Sequence, residues 1–167
     1  MHQIVDTEDF VEDSPHVADV ADDNSDLVLG GDSPCIDNET LWPRPAVVFR
    51  LWQIYLDRVD PLTKIIHVPT FQPLVVQATT GPQGLSDQTT ALLLAIFLMA
   101  AVSLSEAESE DVLGESKNGA LNKFSSGVRQ TLRRIGILRN NDLAVLQTLV
   151  LYLVFDRAPA KQAFVGH

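Results

Sequence analysis

Twelve consecutive apolar residues, Ala91 to Val102, constrain this chain more than any other feature. Crossing a bilayer takes about 20 such residues, so the run is too short to span one. It reads as a helix buried in protein, or at most an interfacial one. A helix that is apolar on every side is stable in water only when it is surrounded. The 167-residue chain must therefore supply enough amphipathic elements around this run to enclose it.

The periodicity supplies them. From Pro43 onward apolar residues recur at three and four positions. Val48, Leu51, Trp52, Tyr55 and Val59 fall on one face of a helix over 46–59, which Pro45 opens and Pro61 is expected to stop. Thr70 is positioned to cap a short helix over 71–78. Ser86 or Asp87 can cap the central helix, about 87–104. The acids Glu106, Glu108, Glu110 and Asp111 follow it, and their charge disfavours a helix C-terminus, so they mark a loop or the start of the next helix. Leu121, Phe124, Val128, Leu132 and Ile135 give a fourth helix over 117–135 that ends at Gly136. Asn141 or Asp142 can cap a fifth, about 142–155, with Leu143, Leu146, Val150 and Leu153 as its expected buried stripe. The predicted class is all-α, with about five helices packed around the central apolar one.

Charge divides the chain sharply. Residues 1–40 hold nine Asp, three Glu and no Lys or Arg, whereas the remainder is nearly balanced at +2. Small apolar pairs such as Ile4-Val5 and Phe10-Val11 sit among the acids, and prolines and glycines interrupt them. This composition predicts a disordered segment that contributes little to stability. It suits either a solvated tail or an acidic–hydrophobic activation segment. If the tail docks at all, the Arg129–Arg139 face is where it is expected to do so.

Chemistry is sparse. The four histidines are far apart, and one cysteine, Cys35, excludes an internal disulfide and a multi-cysteine zinc site. No nucleophile elbow or phosphate loop occurs, and no catalytic, cofactor or metal residue is assigned. His67 is expected to be a structural hydrogen-bonding residue. Lys117, Lys123, Arg129, Arg133, Arg134 and Arg139 make the polar face of the fourth helix positive. With so small a net charge this face is expected to be solvated, or paired with the acidic loop or tail, rather than set in a DNA groove. Bulk charge likewise argues against binding an anionic membrane. No secretory leader is visible, so the sequon Asn38-Glu39-Thr40 is expected to stay unmodified.

Three ordered blocks carry a family resemblance. The first is LWQIYLDRVDPLTKIIHVPTFQPLV, Leu51 to Val75, with an aromatic helix, Val59-Asp60, Pro61, then Ile65-Ile66-His67 and Pro69-Thr70. The second is ALLLAIFLMAAVSLSEAE, Ala91 to Glu108, and the third is DLAVLQTLVLYLV, Asp142 to Val154. Together they resemble the fungal-specific transcription factor domain, the middle homology region of fungal six-cysteine zinc-cluster regulators. The resemblance covers about residues 41–155. It implies an all-helical fold and a nuclear regulator of RNA polymerase II transcription, not an enzyme. The family's zinc and DNA-binding residues transfer to no position here, because the cluster needs six cysteines. The family domain usually continues with further helices, whereas Asp156 to His167 do not match it. The chain is therefore expected to be a shortened regulatory or interaction domain. A non-functional fragment, or a small helical ligand-binding domain with a pocket at Phe97, Met99 and Phe124, are the rival readings.

These observations divide the chain into an acidic tail (1–40), a helical regulatory domain incomplete at its C-terminus (41–158) and a short tail (159–167). The last helix is apolar over a wide arc, and four covering helices can enclose one central helix but not a second. An exposed apolar patch is expected on 142–155. Candidate partner-contact residues are Leu149 and Leu153 there, with Arg129 and Arg133 on the basic face. The expected partners are proteins, either transcription machinery or a second copy of the chain. Sequence-specific DNA and membranes are not expected partners.

Overall fold

The computed structural model describes Leu29 and residues 35–158. Most of the acidic segment and residues 159–167, which the expected tails occupy, lie outside the described residues. The described chain is helical, and no strand occurs among these residues. The elements are α1 (Asn38–Leu41), α2 (Pro45–Ile54), α3 (Asp60–Thr63), α4 (Val68–Ala78), α5 (Asp87–Ser103), α6 (Glu106–Leu113), α7 (Lys117–Ile135) and α8 (Leu143–Arg157).

The centre is α5, and the residues of the apolar run that face every direction are all covered. From Thr90 to Ala101 each residue is buried. Ser86 caps the helix by accepting a hydrogen bond from the Thr89 N–H, as the sequence suggests. Around it stand α7, α8, α2 and the turn that follows α2. The α7 stripe of Leu121, Phe124, Val128 and Leu132 is buried as its spacing predicts, and Gly136 ends the helix at φ 73°. On the α2 side, Trp52 stacks on Tyr55 with centroids 5.9 Å apart and donates its indole N–H to Gln72 Oε1 at 2.8 Å. That bond fastens α4 to α2.

Three local expectations are corrected, and one left open is settled. Pro61 does not stop its helix. A π-helical turn, Tyr55–Val59, intervenes, and Asp60 donates across it to the Tyr55 carbonyl. Pro61 then falls in the first turn of α3, where no N–H is needed, so the chain stays helical to Thr63. Helix α4 begins at Val68 after His67, earlier than a Thr70 cap would allow, because Pro69 fits its first turn. Thr70 Oγ1 lies 2.7 Å from His67 Nδ1 instead.

Of the two readings left open for the acidic cluster, the start of the next helix holds. Ser105 and Glu108 form a reciprocal capping box, and the acids fall at an N-terminus, where negative charge is favourable. The third correction concerns α8. Its inward residues are Val145, Thr148, Leu151, Tyr152 and Phe155, whereas Leu143, Leu146, Val150 and Leu153, expected inside, face outward. Asp142 caps it as expected, its carboxylate accepting from the Ala144 N–H at 2.7 Å.

Candidate functional site

Among the described residues the exposed large apolar side chains lie mainly on α8. A helix of this composition offers two apolar stripes, and α5 covers one of them. The other carries Leu143, Leu146, Val150, Leu153 and Val154, with exposures of 66, 57, 38, 38 and 43%. The first four are spaced three, four and three, which aligns them on one side of the helix. The predicted apolar patch is therefore present, and it consists of the residues that periodicity assigned to the core. Gln147 holds the helix in this rotation by donating to the Ile65 carbonyl at 2.8 Å. Thr148 lies fully buried on the inner side, its hydroxyl bonded to the Ala144 carbonyl at 2.7 Å.

Of the candidate contact residues, Leu153 is exposed and Leu149 is half-buried, one turn apart on α8. Arg129 and Arg133 are half-buried on α7. The two arginines lie toward α8. Burial pushes the Tyr152 phenol above its ordinary range, and the positive charges of Arg129 and Arg133 oppose that shift while Asp156 adds to it. The fold thus brings the basic face and the C-terminal half of α8 to one side of the molecule. Leu143, Leu146, Val150 and Val154 were not singled out as contacts. Both stripes of α8 are apolar, so only the placement of α5 reveals which one is free.

The rest of the basic face is partly engaged, by acids outside the Glu106–Asp111 cluster expected to pair with it. Lys123 pairs with Glu115, and Arg134 Nη2 lies 3.0 Å from Asp87 Oδ1. Lys117 donates to the Val102 carbonyl at 2.9 Å, closing the C-terminus of α5. On the opposite side Arg58 forks onto Glu108, at 2.7 and 3.1 Å, and reaches the Ser103 carbonyl at 3.0 Å. The Arg58 guanidinium, with the Ser105 N–H, holds the Glu108 carboxyl down at about 2.

Phe124 lines a cleft with Trp42, Val47 and Lys123, whereas Phe97 and Met99 are packed inside. The rings of Phe97 and Phe124 pack 5.9 Å apart, both fully buried, and Met99 is 7% exposed, so all three belong to the core. Among the described residues no cluster of His, Cys, Asp and Glu is arranged to hold a metal ion. No helix among them is long and apolar enough to cross a membrane.

Comparison with known proteins gives this surface its context. No family model matches the chain, and no solved structure matches it. Curated relatives do match. The chain is 50% identical over 135 residues to the pyriculol/pyriculariol biosynthesis cluster transcription factor 1 of Pyricularia oryzae, covering 80% of this chain and 18% of that protein. It is 36% identical over 113 residues to the aurofusarin cluster transcription factor aurR2 of Gibberella zeae, covering 68% and 17%. It is 31% identical over 145 residues to the C6 finger domain transcription factor adaR of Aspergillus niger, covering 80% and 18%. The chain thus spans less than a fifth of the length of these relatives. The relatives that match most of this chain are fungal C6 zinc-cluster transcription factors, and the chain is similar to one segment of them.

Proposed function

We propose that residues 41–158 are a regulatory and interaction unit that acts in RNA polymerase II transcription through protein contacts in the nucleus. The observation that carries this reading is the exposed apolar face of α8 on a chain half identical to a cluster-specific transcription factor. An apolar stripe rimmed by Arg129 and Arg133 suits a partner helix with apolar anchors and acidic flanks. Leu149 and Leu153 supply the apolar contact, and the two arginines set orientation. These 167 residues hold a single cysteine, Cys35, so zinc-cluster reading of DNA falls in this proposal to residues other than these. The unit is not an enzyme in this reading, since the relatives are named as transcription factors.

The test is a tethering experiment. The chain is fused to an unrelated DNA-binding module in a fungal cell, and reporter transcription is measured. Expected is a change in reporter output that Leu153→Asp with Leu146→Asp abolishes at unchanged protein level. A fusion with no effect on the reporter, or one indifferent to both substitutions, overturns the proposal. A gel-shift titration of the untethered chain at physiological salt is expected to show no sequence-specific DNA binding.

A further inference from the structure

The acidic segment is not wholly free of the helical core. Leu29 is only 2% exposed and belongs to the apolar core. Further along, the Ile36 N–H donates to Gln130 Oε1 on α7 at 3.0 Å. Leu41, at the end of α1, is 1% exposed and lies over Gly127 of α7. A Cβ at Gly127 would stand 3.0 Å from Leu41 Cδ1 and 3.2 Å from Leu94 Cδ1, so a glycine is what lets the chain lie this close. Trp42 then donates its indole N–H to the Ala78 carbonyl at 2.8 Å and sets its ring edge-on to Phe97 at 5.5 Å.

The hold between these anchors is slight. The N-terminus of α1 has no side-chain cap, and the buried Oδ1 of Asn38 has no hydrogen-bond partner among the described residues. Glu39 is exposed, and its carboxylate accepts a hydrogen bond from Gln83 Nε2 at 2.7 Å. Three clefts run beside this stretch. One of about 400 Å³ lies between Asp37–Thr40 and the Gln130–Arg134 edge of α7. A second of about 330 Å³ separates Glu39 and Trp42 from the Thr79–Gln83 loop. A third of about 450 Å³ opens between Trp42–Arg44 and the α6–α7 junction. A segment fixed by a few apolar anchors and undercut by clefts opens at far lower cost than the core beneath it.

We infer that residues 35–42 are an intrachain ligand, a strap that docks along α7 over Gly127 and can leave it without unfolding the core. The occupant fits its receptor chemically. Asp37 and Glu39 share a cleft with Arg134, and Leu41 supplies the apolar anchor. Docked, the strap ties the acidic segment to the helical unit. Released, it lengthens that segment and bares a strip at Gly127 and Leu94 for another acidic, Leu-anchored peptide. The inference does not depend on the transcriptional reading, because its test is physical.

Hydrogen exchange on the full chain provides that test. In the unaltered chain the amides of Ile36, Thr40 and Leu41 are expected to be protected, but less than those of α5. Leu41→Asp is expected to speed exchange across 35–42 by about tenfold or more, and Gln130→Ala by a few-fold at Ile36, with α5 and α8 unchanged. Unprotected strap amides in the unaltered chain, or no response to Leu41→Asp, overturn the docking. Loss of protection throughout α5 in either variant overturns the strap's independence. Strap exchange that depends on protein concentration overturns the intrachain assignment in favour of exchange between copies.

Discussion

Helices α5 and α8 have nearly the same character in isolation and opposite fates in the fold. Both are apolar on all sides, and neither carries a polar face that would dictate its rotation. Helix α5 is enclosed from Thr90 to Ala101, while α8 keeps five large apolar side chains in solvent. The difference lies in their neighbours. Helix α5 is covered by α7, α8, α2 and the π-helical turn, whereas α8 rests chiefly on α5 with a lesser contact to α7. Apolar composition therefore sets a demand for burial, and the number of partners decides how much of that demand is met.

Paired truncations break or sharpen this contrast most directly. Phe97→Ala in α5 is expected to cost about 3–5 kcal/mol in a urea titration, through lost transfer energy and the cavity left behind. Leu146→Ala on the outer side of α8 is expected to cost no more than about 0.5 kcal/mol, since its side chain already meets water. Equal losses would mean that α8 is covered in solution.

The next effect is on association. The unaltered chain at micromolar concentration is expected to sediment as an oligomer or to bind a hydrophobic dye. Leu146→Glu with Leu153→Glu should remove both behaviours while leaving the helical circular dichroism intact. A monomer that ignores the dye before substitution would show that the α8 face needs no partner.

Smaller effects come from the helix ends. Asp142→Ala is expected to lower stability by about 1 kcal/mol, because the Ala144 N–H loses its acceptor at the first turn of α8. A matching loss is expected from Ser86→Ala at the first turn of α5, so caps should count alike where burial does not. Unequal losses measured by thermal melts would show that one helix end frays.

The smallest expected effect is electrostatic. Glu108 is held at about 2 against an ordinary value of 4.5. A depressed carboxyl contributes stability that is present above 4.5 and lost as pH falls toward about 2. Because the Arg58–Glu108 pair is largely in solvent, the loss should be slight and should shrink further in salt. Melts of Glu108→Gln between pH 5 and 2 should fall less steeply than those of the unaltered chain.

Much of this fold is legible in the sequence where polarity breaks the symmetry of a helix. In α7, charges occupy one side, so its buried residues and its end at Gly136 follow from spacing alone. Just after the π-helical turn a single proline, Pro61, reads as a stop, because the local rule assumes an α-helical hydrogen-bond register that the extra residue changes. The α6 capping box is written plainly as Ser105 and Glu108, yet the density of acids leaves a loop open until the favourable field at a helix N-terminus is considered. The strap was hidden by composition. Acidic residues argue for solvation on average, but a few apolar anchors and one facing glycine are enough to hold the chain locally.

The sequence by itself determined the helical class, the central helix and the family resemblance, because these rest on periodicity, the length of an apolar run and ordered motifs. It also indicated two helices with an unusual demand for burial, since both are apolar over a wide arc. Which surface of α8 stays exposed, only the tertiary structure decided. Rotating α8 exchanges one apolar stripe for another at almost no cost in side-chain transfer energy, so local sequence does not fix the choice. It is fixed by contacts distant in the chain, the Gln147 bond to Ile65 and the fit of Leu151 and Tyr152 against their neighbours, which exist only once α5 and its surroundings are assembled.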